Sequence, residues 1–168
     1  MSLTILEGPD GGGKTTLAAA LKALDPPGTT VIHHGSYAGQ EGITELYMSS
    51  IQLAKSTKVV LDRSWLSERI YGDVYRNGMN RLGSAGETWL SMTASDFGAV
   101  VVLCLPSYQQ CYTTFTSRIA GEMLDTTRQL QQVYGGYARQ NWKHIPVIEY
   151  DYTLDTFQSL LKRMEKLR

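Results

Sequence analysis

Residues 8–15 read Gly-Pro-Asp-Gly-Gly-Gly-Lys-Thr and satisfy G-x-x-x-x-G-K-(S/T) in full. In such a turn, glycines let the backbone curl until its amides face inward on phosphate oxygens. Gly8, Gly11, Gly12 and Gly13 supply that freedom. Lys14 can reach the outer phosphates, where charge spreads during transfer. The Thr15 hydroxyl suits magnesium, and Thr16 can add a phosphate contact. A second cluster, Asp62-Arg63-Ser64, closes the apolar run Val59-Val60-Leu61. Asp62 can accept from a substrate hydroxyl or from magnesium-bound water, or act as a general base. Arg63 can grip a phosphate with both prongs of its guanidinium; the plainer alternative is a local ion pair with Asp62 that caps the next helix. Asp10 brings a carboxylate into a site crowded with phosphate. A sugar hydroxyl or a metal ion would justify that charge; otherwise it is a solvent-facing turn residue.

These clusters need elements to carry them. Leu3, Ile5 and Leu6 form a strand ending at Glu7-Gly8, and Lys14 to Leu24, rich in Ala and Leu, predicts a helix stopped by Pro26-Pro27-Gly28. Thr29–His33 reads as strand two and His34–Gly42 as a loop. Helical spacing of Ile43, Leu46, Tyr47, Ser50, Ile51 and Ala54 predicts a helix to about Ser56. Val59–Leu61 is strand three. Trp65, Leu66, Arg69 and Ile70 start a helix that Asn77-Gly78 breaks, and another covers Ser84–Ala94. Ala99–Leu105 is strand four, stopped by Pro106. Ser107–Thr116 is helical, Arg118–Asp125 is a loop, and Leu130, Val133, Tyr134 and Tyr137 mark the next helix. Ile145–Tyr150 is strand five. The last helix carries Leu154, Phe157, Leu160, Leu161, Met164 and Leu167 on one face. Several strands lack polar alternation, so they are buried on both faces, in a parallel sheet covered by helices. The C-terminal strand ends then share a rim with the glycine-rich turn.

Composition narrows the function. A chain of 168 residues predicts one domain, 1–168. Sixteen basic and sixteen acidic residues cancel, which argues against bulk-charge attachment to nucleic acid, so no stable nucleic-acid partner is expected. Cys104 and Cys111 are too few for a disulfide scaffold and lack metal-ligand spacing. No apolar run is long enough to span a membrane, and the opening residues are not a secretory signal. The expectation is a cytoplasmic protein, or one at work in the host cytoplasm if the source is viral. No Asn-Lys-x-Asp follows the later strands, against a GTPase, and the length leaves little room for motor or transporter modules.

Residues 7–17, EGPDGGGKTTL, resemble the opening of the thymidylate kinase family, a group of P-loop kinases. In that family Glu-Gly-x-Asp lies inside the phosphate loop, with its acid near the acceptor's deoxyribose. Asp62-Arg63-Ser64 with Ser67, Tyr71 and Gly72 is similar to the family's Asp-Arg-x-x-x-Ser stretch, and also to deoxynucleoside kinases. The resemblance implies a nucleoside monophosphate kinase-like three-layer α/β sandwich on a five-stranded parallel sheet. It implies ATP and Mg2+, with Thr15 and Asp62 at the metal. Asp10 would face the substrate, Arg63 hold the acceptor monophosphate, and Tyr71 and Ser67 line its pocket. The chain is shorter than is usual in the family. Where the family often shows Arg-Glu-Pro after strand two, this sequence reads His33-His34-Gly35-Ser36-Tyr37. Tyr37 can stack on a base or cover the core edge; His33 reads as a strand residue.

Family members place a mobile lid with arginines near 117–127. Arg118 sits there, able to clamp the transferring phosphoryl; Arg128 follows, and Glu122 and Asp125 can order the lid or assist magnesium. Arg76 and Arg81 flank Asn77-Gly78 and can line the acceptor side. Trp65 and Trp89 read as core. The loop Asp151-Tyr152-Thr153 falls where this fold lays backbone against adenine, which nominates Tyr152. The implied reaction moves the ATP γ-phosphoryl to a deoxynucleoside 5′-monophosphate, dTMP or a related pyrimidine. The alternative is a deoxynucleoside kinase, or a kinase acting on a modified nucleoside or a DNA hydroxyl. Apolar faces on 43–56 or 84–94 would suit a homodimer or simply the core.

Overall fold

In the computed structural model residues 2–35, 42–118 and 124–167 are described, 118 and 124–126 by backbone alone. The elements alternate as β1 (Ser2–Glu7), α1 (Lys14–Ala23), β2 (Thr29–His33), α2 (Ile43–Leu53), β3 (Lys58–Asp62), α3 (Ser67–Tyr75), α4 (Gly83–Asp96), β4 (Val100–Cys104), α5 (Tyr108–Arg118), α6 (Leu124–Arg139), β5 (Val147–Tyr150) and α7 (Phe157–Glu165). The five strands form one parallel sheet in the order β2-β3-β1-β4-β5. The chain leaves β1 toward one edge and later returns to its other side at β4. A crevice opens at that reversal, beyond the C-terminal strand ends.

Both faces of the sheet are covered, and successive residues of β1 point to opposite faces. Leu3 and Ile5 pack with Ile43, Tyr47 and Ile51 of α2 and Leu90 and Ala94 of α4. Leu6 packs on the other face with Leu17, Ala18 and Leu21 of α1 and Leu160 and Met164 of α7. A third cluster joins Ile70 of α3, Val133 and Tyr137 of α6 and Leu103 of β4. Every residue of β4 is buried, which explains its unbroken apolar run.

Some expectations need correction. Strand four is shorter than 99–105 and strand five shorter than 145–150, because apolar residues flank the stretch that pairs in the ladder: Ala99 and Leu105 around β4, Ile145 before β5. Leu154 precedes α7 and is 84% exposed; the helix starts after Thr156, whose side chain accepts from the Ser159 amide at 3.1 Å. Trp65 is core, its indole N–H donating to Ser91 Oγ at 2.9 Å, but Trp89 is 53% exposed. The inward stripe of α4 is Leu90, Ser91 and Ala94, and Trp89 lies beside it on the outer face. Both ends of the expected loop at 118–125 are helical, since α5 runs through Arg118 and α6 begins at Leu124; 119–123 lie outside the described residues. Among the described residues no helix is long and apolar enough to cross a membrane.

Candidate active site

Between β1 and α1 the chain forms a tight turn against the end of β4. Gly8 has φ 142° and Gly11 φ 79°, backbone that side chains rarely adopt. A Cβ on Gly8 would lie 2.2 Å from the Cys104 carbonyl oxygen, and one on Gly11 2.3 Å from that of Cys111. The turn therefore seats directly on backbone. Lys14, 6% exposed, opens α1 and folds its ammonium back to donate to the carbonyls of Gly8 (2.9 Å) and Pro9 (2.7 Å). Burial, then the nearby Arg63 charge, brings Lys14 down to about 8. Tyr152 buttresses this turn. Its ring lies where a Cβ on Gly13 would meet it at 2.8 Å, and its hydroxyl reaches Gly11 O (3.4 Å) and Thr114 Oγ1 (3.1 Å). Thr16 is exposed on the first turn of α1.

Asp62 ends β3 beside the turn and is 2% exposed. Its Oδ2 accepts from Thr15 Oγ1 and lies 3.0 Å from His33 Nδ1; both distances are 3.0 Å. Its Oδ1 is buried without a hydrogen-bond partner among the described residues. Thr15, having donated its proton to Asp62, keeps lone pairs for a cation. A hydroxyl and an uncommitted carboxylate oxygen are the hard donors magnesium prefers alongside phosphate oxygens, so the residues fit that ion. Among the described residues no group of three or more His, Cys, Asp or Glu side chains could hold a metal by itself.

Arg63 has φ 71°, left-handed and costly for a side-chain-bearing residue. Its contacts hold it there. The guanidinium pairs with Asp10 Oδ1, donates to Gly8 O (3.3 Å) and Tyr137 Oη (3.4 Å), and lies 4.8 Å over the Tyr71 ring. The sequence offered Asp62 as the local partner of Arg63; the structure pairs Arg63 with Asp10 across the cleft instead.

A cavity of about 290 Å³ opens on the far side of Arg63. Tyr71 lines it, its hydroxyl buried without a hydrogen-bond partner among the described residues and its ring stacked on Tyr75 at 5.7 Å. Glu68, 5% exposed, forms another wall. It accepts from Arg81 (2.6 and 2.8 Å), Arg76 (3.0 Å) and the Tyr47 hydroxyl (3.3 Å). Arg81 is thus at the cavity as expected, but its charge is shared with Glu68. His34 is also there, held near 4 by burial and then by His33, hence neutral at ordinary pH. A smaller recess of about 70 Å³ lies over Gly11, Gly13, Lys14, Thr15 and Thr16. Both spaces are lined by Asp10, His33 and Arg63, so they adjoin.

Ser67 lines the cavity and also belongs to a buried network behind it. Glu7, 0% exposed, accepts from Ser64 N (2.9 Å), Ser64 Oγ (2.7 Å), Ser67 Oγ (2.6 Å) and Tyr137 Oη (2.9 Å). Burial raises the Glu7 carboxyl above its ordinary value, against the pull of Ser67, Ser64, Arg63 and Tyr137. Ser67 Oγ and Tyr137 Oη are also 2.9 Å apart. Sequence reasoning missed Glu7, Tyr47, Glu68 and Tyr137. The available signal for Glu7 was a charged residue ending a strand buried on both faces. Tyr37 and Glu122 lie outside the described residues, as do the side chains of Arg118 and Asp125.

No protein-family model matches the chain, and no curated protein matches it significantly. Solved structures do. The YorR protein from Bacillus subtilis, in complex with phosphorylated GDP, superposes with a TM-score of 0.77 over 99% of this chain and 95% of its own, at 20% identity. Deoxyadenosine kinase from M. mycoides with bound dATP gives 0.60 over 99% of both chains at 16% identity. With bound dCTP it gives 0.59 over 98% of both, again at 16% identity. The chain has the five-stranded parallel α/β fold of these nucleotide-bound proteins.

Proposed function

We propose that this protein is an ATP-dependent nucleotide kinase that moves the γ-phosphoryl group of ATP to a deoxynucleoside 5′-monophosphate, with dTMP or a related pyrimidine nucleotide as acceptor. The observation that carries the reading is the junction of two adjoining spaces across Asp10, His33 and Arg63. One is floored by the glycine-rich turn and Lys14, the other walled by Tyr71, Glu68 and Arg81. The nucleotide-bound neighbours of the same fold support it.

The turn amides and Lys14 hold the triphosphate tail, with Lys14 exchanging two carbonyls for phosphate oxygens. Arg63 exchanges Asp10 for the acceptor phosphate, which leaves Asp10 beside the sugar. An acceptor phosphate oxygen bonds to the γ-phosphorus as the bond from that phosphorus to the β–γ bridging oxygen breaks, and ADP leaves with the electron pair. Thr15 and Asp62 would hold a magnesium ion brought in with ATP, which would offset negative charge on the phosphates. A phosphate acceptor is mostly ionised at neutral pH, so the step needs no base. Arg118, at the end of α5, is the lid residue proposed to meet the transferring phosphoryl.

A second reading has a specific motive. His33-His34-Gly35 stands where Arg-Glu-Pro would be expected, and a kinase named for a nucleoside, deoxyadenosine kinase, shares the fold. A nucleoside or DNA hydroxyl would have to lose its proton, and Asp62 Oδ1 is the unpartnered oxygen available to take it. Incubation with magnesium-ATP and a panel of nucleosides, monophosphates and hydroxyl-ended DNA, read by product mass, decides. Mass gained by a monophosphate supports the lead reading, gain only by nucleosides or DNA supports the second, and no gain by any acceptor overturns both.

A further inference from the structure

We propose that His33 is a positioning residue for Asp62, locking its carboxylate so that Oδ1 is the working oxygen; this rests on the kinase reading above. His33 ends β2 directly across the ladder from Asp62, the last residue of β3. The next amide, His34 N, donates to the Asp62 carbonyl at 3.0 Å and fixes the backbone at that point. Left alone, an aspartate carboxylate turns readily about its last torsion, because that torsion is broad and roughly two-fold. Here two side chains from different elements, His33 of β2 and Thr15 of α1, hold the same oxygen, Oδ2, each at 3.0 Å. A carboxylate oxygen only accepts, so His33 Nδ1 carries the proton in this contact. With Oδ2 doubly held, Oδ1 is the oxygen left without a hydrogen-bond partner among the described residues, on a side chain that lines the recess over Lys14 and Thr15. That is where a magnesium-bound water or an acceptor hydroxyl would meet it.

The exposure of His33 separates this role from a structural one. Its side chain is 63% exposed while that of Asp62 is 3%. The ring adds little to the core, yet it reaches the most buried charged group of the recess. The sequence alone made His33 a strand residue, because nothing in its spacing says which side chain stands opposite on the neighbouring strand.

His33→Ala, His33→Asn and the wild type are compared for steady-state phosphoryl transfer, thermal midpoint and ring nitrogen-15 spectra. Loss of a group that orients a working ligand lowers activity about 10–100-fold. His33→Ala should lose that much in kcat, with both KM values within about twofold and the midpoint within about 2 °C. Asn carries an N–H near the place of Nδ1 and should restore most of the loss. The wild-type ring should show a protonated, hydrogen-bonded Nδ1. An unchanged kcat in His33→Ala, a loss carried by KM, a failure of Asn to rescue, or a bare Nδ1 each overturns the proposal. If the wild type transfers phosphoryl to no acceptor, the kinase reading falls, and the ring spectrum still decides whether His33 holds Asp62.

Discussion

On the proposed reading, the two sides of the cleft would hold anions by different means. On the donor side the main chain does most of the work: a turn of glycines sits on the carbonyls of Cys104 and Cys111, with one lysine anchored to the turn itself. On the acceptor side the side chains do it, and their charges are already matched, Arg63 to Asp10 and Arg76 with Arg81 to Glu68. A main-chain cradle tolerates little change in shape and reads any polyphosphate alike. A pocket of paired side chains can be retuned one residue at a time, which is where selectivity for a base or sugar belongs.

Substitutions at four residues test that contrast. Lys14→Met should cut kcat about 1,000-fold, the scale for losing a preorganised charge at a developing anion, while circular dichroism shows the fold retained. Near-normal turnover would mean that the donor side works through backbone alone. Glu7→Leu should destabilise by about 3 kcal/mol in chemical denaturation, because Ser64, Ser67 and Tyr137 lose their common acceptor. The same residue gives a pH test. Its folded carboxyl titrates above the ordinary 4.5, so its contribution is full below that value and is lost as pH rises through the raised one. Glu7→Gln should flatten that decline; an unchanged slope would assign it to another group.

Arg63→Lys should raise the acceptor KM about 30-fold, the range for a charge-assisted contact, and leave the ATP KM within about threefold. Equal effects on both constants would mean that the two spaces act as one site. Tyr152→Phe should have the smallest effect, about twofold on the ATP KM, since it removes two long hydroxyl contacts but keeps the ring on Gly13. A loss of tenfold or more would make that hydroxyl part of the donor site.

The contrast also explains what could be read from the sequence. A main-chain cradle needs glycines at fixed spacing, and that pattern announced residues 8–15 together with the strand and helix around them. Asp62 and Arg63 were legible because they end an apolar run whose strand end had to lie on the rim. Their partners were not. Arg63 meets Asp10 from 53 positions away, and Glu7 meets Tyr137 across 130. Glu68 becomes a pocket wall only because Tyr47, Arg76 and Arg81 converge on it. No local period encodes such meetings. Trp89 failed for a related reason: on α4 it stands about 100° round the helix from Leu90, and its apolar type alone does not say which face of the helix meets the sheet.

The Asp10–Arg63 pair has one more consequence. A tethered carboxylate faces Arg63 at a local concentration that no free buffer ion matches. Sulfate, inorganic phosphate and similar small anions must displace it unaided, whereas a larger molecule can add contacts from the rest of its structure. On the proposed reading, that competition would screen the cleft against idle occupancy by the commonest anions around it and keep the arginine in reserve for an acceptor that fills the neighbouring cavity as well.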